Sequence, residues 1–125
     1  LEHLTVNSAI RYASDQALDS LGEHLARMAQ AEDIAQAAEA AFQFQHELAL
    51  VGGNSIVPLI YYSFKAPVIT LWMRFCRLYG IEALLRNTER LYDCIRARDE
   101  QAAAEWIDRY LGQAIQGSQQ IFSER

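Results

Sequence analysis

Apolar residues recur at three- and four-residue spacings along nearly the whole chain, and no stretch alternates polar with apolar as a half-buried strand would. That pattern restricts the fold to packed helices. Leu1 to Tyr12 reads as the tail of a longer helix, since it starts without a capping residue. Ser14 is suited to cap a second helix whose stripe is Leu18, Leu21, Leu25 and Met28, with Asp19, Glu23 and Arg27 on the polar side. Asp33 is suited to cap a third, carrying Ile34, Ala37, Ala38, Ala41, Gln45 and Leu48 on one face and Phe42, Phe44 and Leu50 beside it. Gly52-Gly53-Asn54 then stops the chain sharply: glycine closes a helix in the left-handed conformation, and Asn54 can cap the next one.

The segment after Asn54 is apolar nearly all round, through Ile56, Val57, Leu59, Ile60, Tyr61, Tyr62 and Phe64, which predicts a central helix. Pro58 fits a first turn, whereas Pro67 predicts a break near Lys65-Ala66. Helix resumes from Val68 to Tyr79 and ends at Gly80. The next stripe is Ile81, Leu84, Leu85, Thr88, Leu91, Tyr92 and Ile95; the last, capped by Asp99, is Ala103, Trp106, Ile107, Tyr110, Ala114, Gly117 and Ile121. The expectation is an all-α antiparallel bundle of six to seven helices, forming one domain over residues 1–125.

Charge narrows the function. The formal net charge is -5, and the only lysine, Lys65, stands among dispersed arginines, so this chain lacks the concentrated positive charge that holds a phosphate backbone. No apolar run is long enough to span a bilayer, and no secretion signal is evident, so a cytoplasmic setting is expected. Cys76 and Cys94 lie on separate helices without metal-type spacing and read as reduced, small apolar side chains. No nucleophile–base pair, inward carboxylate pair or phosphate loop is evident, which argues against an enzyme.

Three polar residues interrupt inward stripes. Gln45, Thr88 and Tyr110 each sit where an aliphatic side chain is the default. Taken singly, each is explained by a local hydrogen bond, as when threonine bonds to a carbonyl one turn earlier. Taken together, on three helices, they point to a cavity with convergent polar groups. Tyr62 and Trp72, with Lys65 and Arg74 as a cationic rim and Asn54 at the helix junction, complete the candidate binding set, although ordinary core packing and surface ion pairing explain the same residues.

The run FQFQHELALVGGNSIVPLIYYSFK, followed by NTERLYDCIRARDEQAAAEWIDRYL, resembles the C-terminal effector domain of GntR-type transcription regulators, the FCD class, and within it the FadR-like members. The resemblance rests most on Gly52-Gly53-Asn54 and on the stretch from Asp93 to Ala103, and it covers nearly the whole chain. It implies a helical bundle that dimerises, binds a small effector and acts on DNA only through a preceding winged helix-turn-helix domain not present in this chain. Many FCD members hold a divalent metal through one aspartate and three histidines. The corresponding positions here are Ala41, Gln45, Thr88 and Tyr110, which do not supply the carboxylate and imidazole set such a metal favours, so no metal or other cofactor is expected. The resemblance then implies a fatty acid or acyl-CoA effector, or otherwise a small organic acid. The alternative is a free-standing helical scaffold or a metal-independent enzyme.

Overall fold

A computed structural model describes residues 2–53 and 55–123, with side chains placed as far as residue 112. Eight helical segments follow one another among the described residues: α1 Glu2–Tyr12, α2 Asp15–Leu21, α3 Glu23–Ala29, α4 Ile34–Val51, α5 Val57–Ser63, α6 Lys65–Tyr79, α7 Ile81–Arg96 and α8 Glu100–Ser123. The fold is all-α. The helix predicted from Ser14 to Met28 is two segments, broken at Gly22, where the Tyr92 hydroxyl reaches in from α7 and donates to the Leu18 carbonyl at 2.7 Å.

The capping residues do what their chemistry allows. The Ser14 hydroxyl accepts from the Ala17 N–H at 3.1 Å, Asp33 from Gln36 at 2.8 Å and Asp99 from Ala102 at 3.0 Å. Each satisfies a donor that the first helical turn leaves unpaired.

The central helix is α4, not the apolar segment after the glycines. It packs against α1, α2, α3, α5, α6 and α7. Ala37, Ala38, Ala40 and Ala41 are all buried, and their small side chains let neighbouring helices approach, while Phe42, Phe44 and Leu48 fill the space between. By contrast α5 has only seven residues, buries Val57 and Pro58, and leaves Leu59 at 72% and Ile60 at 42% exposure. Its apolar character therefore belongs to a surface. The break expected near Lys65-Ala66 falls at Phe64, and Pro67 sits in the first turn of α6, where its missing N–H costs no hydrogen bond.

Contacts from α4 and from the α7–α8 junction hold α1 in place. The two glycines after α4 serve different ends: Gly53 takes φ 82°, the left-handed conformation, and donates to the Leu50 carbonyl at 3.2 Å. Gly52 has ordinary helical angles but meets α1 directly, and a Cβ there would lie 2.8 Å from Ser8 Cβ. At the far end of α1, the Arg98 guanidinium donates to the Ile10 and Ala13 carbonyls at 2.7 and 2.8 Å and pairs with Asp15 at 3.0 Å. This cation at a helix C-terminus satisfies carbonyls that have no helical partner. Among the described residues, no helix is long and apolar enough to cross a membrane.

Candidate functional site

A cavity of about 160 Å³ opens between α1, α4, α5, α6 and α8, lined by Glu2, Thr5, Gln45, Tyr61, Val68, Leu71, Trp72 and Leu111. Its apolar wall comes mostly from α6, with Tyr61 of α5 and Leu111 of α8, and its polar groups from α1 and α4. Helical geometry explains the arrangement: Val68, Leu71 and Trp72 are three and four residues apart and share one face of α6.

The polar groups form a chain. Gln45 Nε2 donates to the Tyr110 hydroxyl at 3.2 Å, and that hydroxyl donates to Glu2 Oε1 at 3.0 Å. Three helices widely separated in sequence thus meet at one phenol. Tyr110 is itself buried and stacks on Trp72, with ring centroids 6.1 Å apart. Among the described residues, Gln45 Oε1 and Trp72 Nε1 are buried without a hydrogen-bond partner. One is an acceptor and the other a donor, and both side chains line the cavity.

Glu2 is half-buried as a residue, with its carboxyl facing the Tyr110 hydroxyl. Burial pushes that carboxyl above its ordinary range, opposed by the neighbouring Tyr110 and Gln45 side chains. The same burial, together with the Glu2 charge, holds the Tyr110 hydroxyl well above its usual value, and it does the same for Tyr61. Both phenols therefore stay neutral.

Of the residues singled out in the sequence, Gln45, Tyr110 and Trp72 are brought together here. Thr88 is buried on α7 but is satisfied locally, its hydroxyl donating to the Leu84 carbonyl at 2.8 Å. Lys65 and Tyr62 lie outside the cavity lining, in an outer cluster where Lys65 pairs with Glu39 at 3.0 Å and sits 5.4 Å from the Phe42 ring and 5.6 Å from the Tyr62 ring. His46 joins that cluster, 5.4 Å from Tyr62. Arg74 is half-buried on α6 and is not part of the lining, so the cationic rim is not assembled around this cavity. Asn54 lies outside the described residues. Sequence reasoning missed Glu2, whose place in the first turn of an amphipathic helix reads as a solvated charge.

A divalent metal does not fit the groups present. Of the four positions that correspond to family ligands, Ala41 is a buried core methyl, Thr88 is spent on a backbone carbonyl, and Gln45 and Tyr110 bond to each other. Among the described residues, no three His, Cys, Asp or Glu side chains gather as a first-row metal requires. Cys76 is buried and free, its thiol raised to about 11 by desolvation, which makes it a packing group rather than a nucleophile.

Comparison with known proteins agrees with the architecture. No curated protein and no solved structure matches the chain significantly. The sequence profile of the FCD domain matches residues 1–113, most of the chain. Together with the helical fold, that match shows that the chain belongs to the FCD family, the C-terminal effector-binding domain of GntR-family regulators.

Proposed function

We propose that this chain is the sensing module of a GntR-type regulator and that its effector binds in the cavity between α1, α4, α5, α6 and α8. The observation that supports this most is the cavity itself, whose lining joins Glu2 and Thr5 of α1 to Gln45 of α4 and Trp72 of α6. The cavity volume suits a compact effector and not the full length of an acyl-CoA.

Transmission follows from the lining. Glu2 and Thr5 belong to α1, so a ligand that binds there shifts the balance between positions of α1, provided it prefers one position. In this reading α1 carries the signal toward a DNA-binding domain. A thermal-shift screen of compact metabolites tests the site: a compound at a hundredfold excess over its Kd should stabilise the protein by about 2.7 kcal/mol. That gain should vanish in Val68→Phe, which fills the cavity. A stabilising compound whose effect survives Val68→Phe contradicts the assignment.

The exposed face around α5 supports a second copy of the chain as a partner. Ile56, Leu59, Ile60 and Phe64 recur at three- and four-residue spacing and are 64%, 72%, 42% and 56% exposed. An exposed apolar stripe of this kind marks an interface. The double variant Leu59→Asp, Phe64→Asp should sediment as a monomer with unchanged helical content, where the parent sediments as a dimer; a parent that is monomeric at high concentration rules out this interface.

A further inference from the structure

Resting on the assignment of the cavity as the effector site, we propose that its ligand is a compact organic cation, a primary amine on a small hydrocarbon body, held by the Glu2 carboxylate, and not an organic acid. The charge follows from the lining. Among the described residues that line the cavity, Glu2 carries the one carboxyl, and there is no lysine, arginine or histidine. The site offers a negative charge without a positive one.

Helix geometry and its neighbours place that carboxyl. Glu2 and Thr5 are three residues apart on one face of α1, and both line the cavity. The carboxyl accepts from the Tyr110 hydroxyl at 3.0 Å, beside the Gln45 amide that donates to the same hydroxyl at 3.2 Å. Its charge also acts on the Tyr61 phenol. Gln45 and Tyr61 are themselves lining residues, so the carboxyl stands among the cavity's own walls.

What it lacks is a cation. His3 is the basic side chain whose charge bears on it, more weakly than the Tyr110 and Gln45 side chains do, and His3 is itself paired with Asp108 at 2.8 Å. Lys65 is spent on Glu39 and Arg98 on Asp15. A buried carboxylate served by neutral donors alone is costly, which is why burial holds its proton above the ordinary range. A ligand ammonium brings three donors and a compensating charge, and it offsets that cost. Aromatic wall from Tyr61 and Trp72 suits an alkylammonium better than aliphatic wall does, because ring electrons attract cations. An organic acid would be repelled by the same carboxylate. The size is set by the cavity, at about 160 Å³, and a cavity of ~150 Å³ accommodates a benzene-sized molecule.

Cyclopentylamine, cyclopentanol and cyclopentanecarboxylate share one ring and differ in charge, so they test the proposal directly. Calorimetric titration at neutral pH should show the amine binding most tightly. Glu2→Gln keeps the shape and removes the charge; it should weaken the amine by roughly tenfold to a hundredfold, the range for a charge-assisted hydrogen bond, and leave cyclopentanol unchanged. Val68→Phe should abolish amine binding. Tighter binding of cyclopentanol or cyclopentanecarboxylate than of the amine, lost in Val68→Phe, overturns the cationic class and leaves the cavity as the effector site. Amine binding that keeps its full strength in Glu2→Gln overturns the proposal in the same way, and amine binding that survives Val68→Phe overturns both. No binding of any of the three at millimolar concentration also overturns the amine class, while the effector site itself is decided by the thermal-shift screen.

Discussion

Phe44→Ala should lower the unfolding free energy by about 3–5 kcal/mol, the range for truncating a fully buried aromatic side chain. Phe44 has no solvent exposure and lies on α4, the helix that the bundle surrounds. Its ring meets the edge of Tyr92 at 6.3 Å, and Tyr92 in turn bonds across to the α2–α3 break. Removing the ring leaves a void that α7 cannot readily close, because the Tyr92 hydroxyl holds α7 to the Leu18 carbonyl of α2. Chemical denaturation monitored by circular dichroism reads the loss directly. A change below about 1 kcal/mol would mean that α4 is not the core of the fold.

Tyr110→Phe should cost about 1–3 kcal/mol at neutral pH, more than a hydroxyl deletion at a surface, because it strips a partner from two buried groups at once. The Gln45 amide loses its acceptor and the Glu2 carboxyl loses its donor. The pH dependence identifies the source. Glu2 has its pKa raised on folding above the ordinary 4.5, so the native state holds that proton more tightly than the unfolded chain. Its contribution to stability is full below the ordinary value and is lost as pH rises through the raised native value. Tyr110→Phe removes a donor that favours the carboxylate, so it should raise that value further and deepen the fall. Glu2→Gln should abolish the fall and be the more stable form at neutral pH. Denaturation of all three proteins across the acidic to neutral range checks this, and a Glu2→Gln variant that is less stable than the parent at neutral pH would show that the carboxylate is not under strain there.

How much of this was legible in the sequence depends on the range of the interaction. Helix positions were, because the stripes and caps are local: Ser14, Asp33 and Asp99 each accept the N–H three residues on. The inward set at Gln45 and Tyr110 was legible as a departure from an apolar stripe. The role of α5 was not, since Ile56, Leu59 and Ile60 have the same composition whether they face a core or another protein, and periodicity does not distinguish the two. Thr88 shows the limit of a stripe position: it marks burial correctly, but not that the hydroxyl donates one turn back to the Leu84 carbonyl and stands apart from the cavity lining. Glu2 was hidden because its partner Tyr110 is separated from it by most of the chain, and a charged residue in a first turn gives no local sign of facing inward.

The family assignment and the site chemistry carry different weight. The FCD match fixes the class of protein. The site departs from the metal-binding pattern that the resemblance implies for many FCD members: a hydrogen-bonded chain of the Gln45 amide, the Tyr110 phenol and the Glu2 carboxyl borders the cavity.

The most direct measurement is the structure of the chain crystallised with the compound that stabilises it most in the thermal-shift screen. Density for that compound between Tyr61, Leu71 and Trp72 is the predicted result. Density at any other place on the bundle, with this cavity unchanged, would contradict the assignment of the effector site.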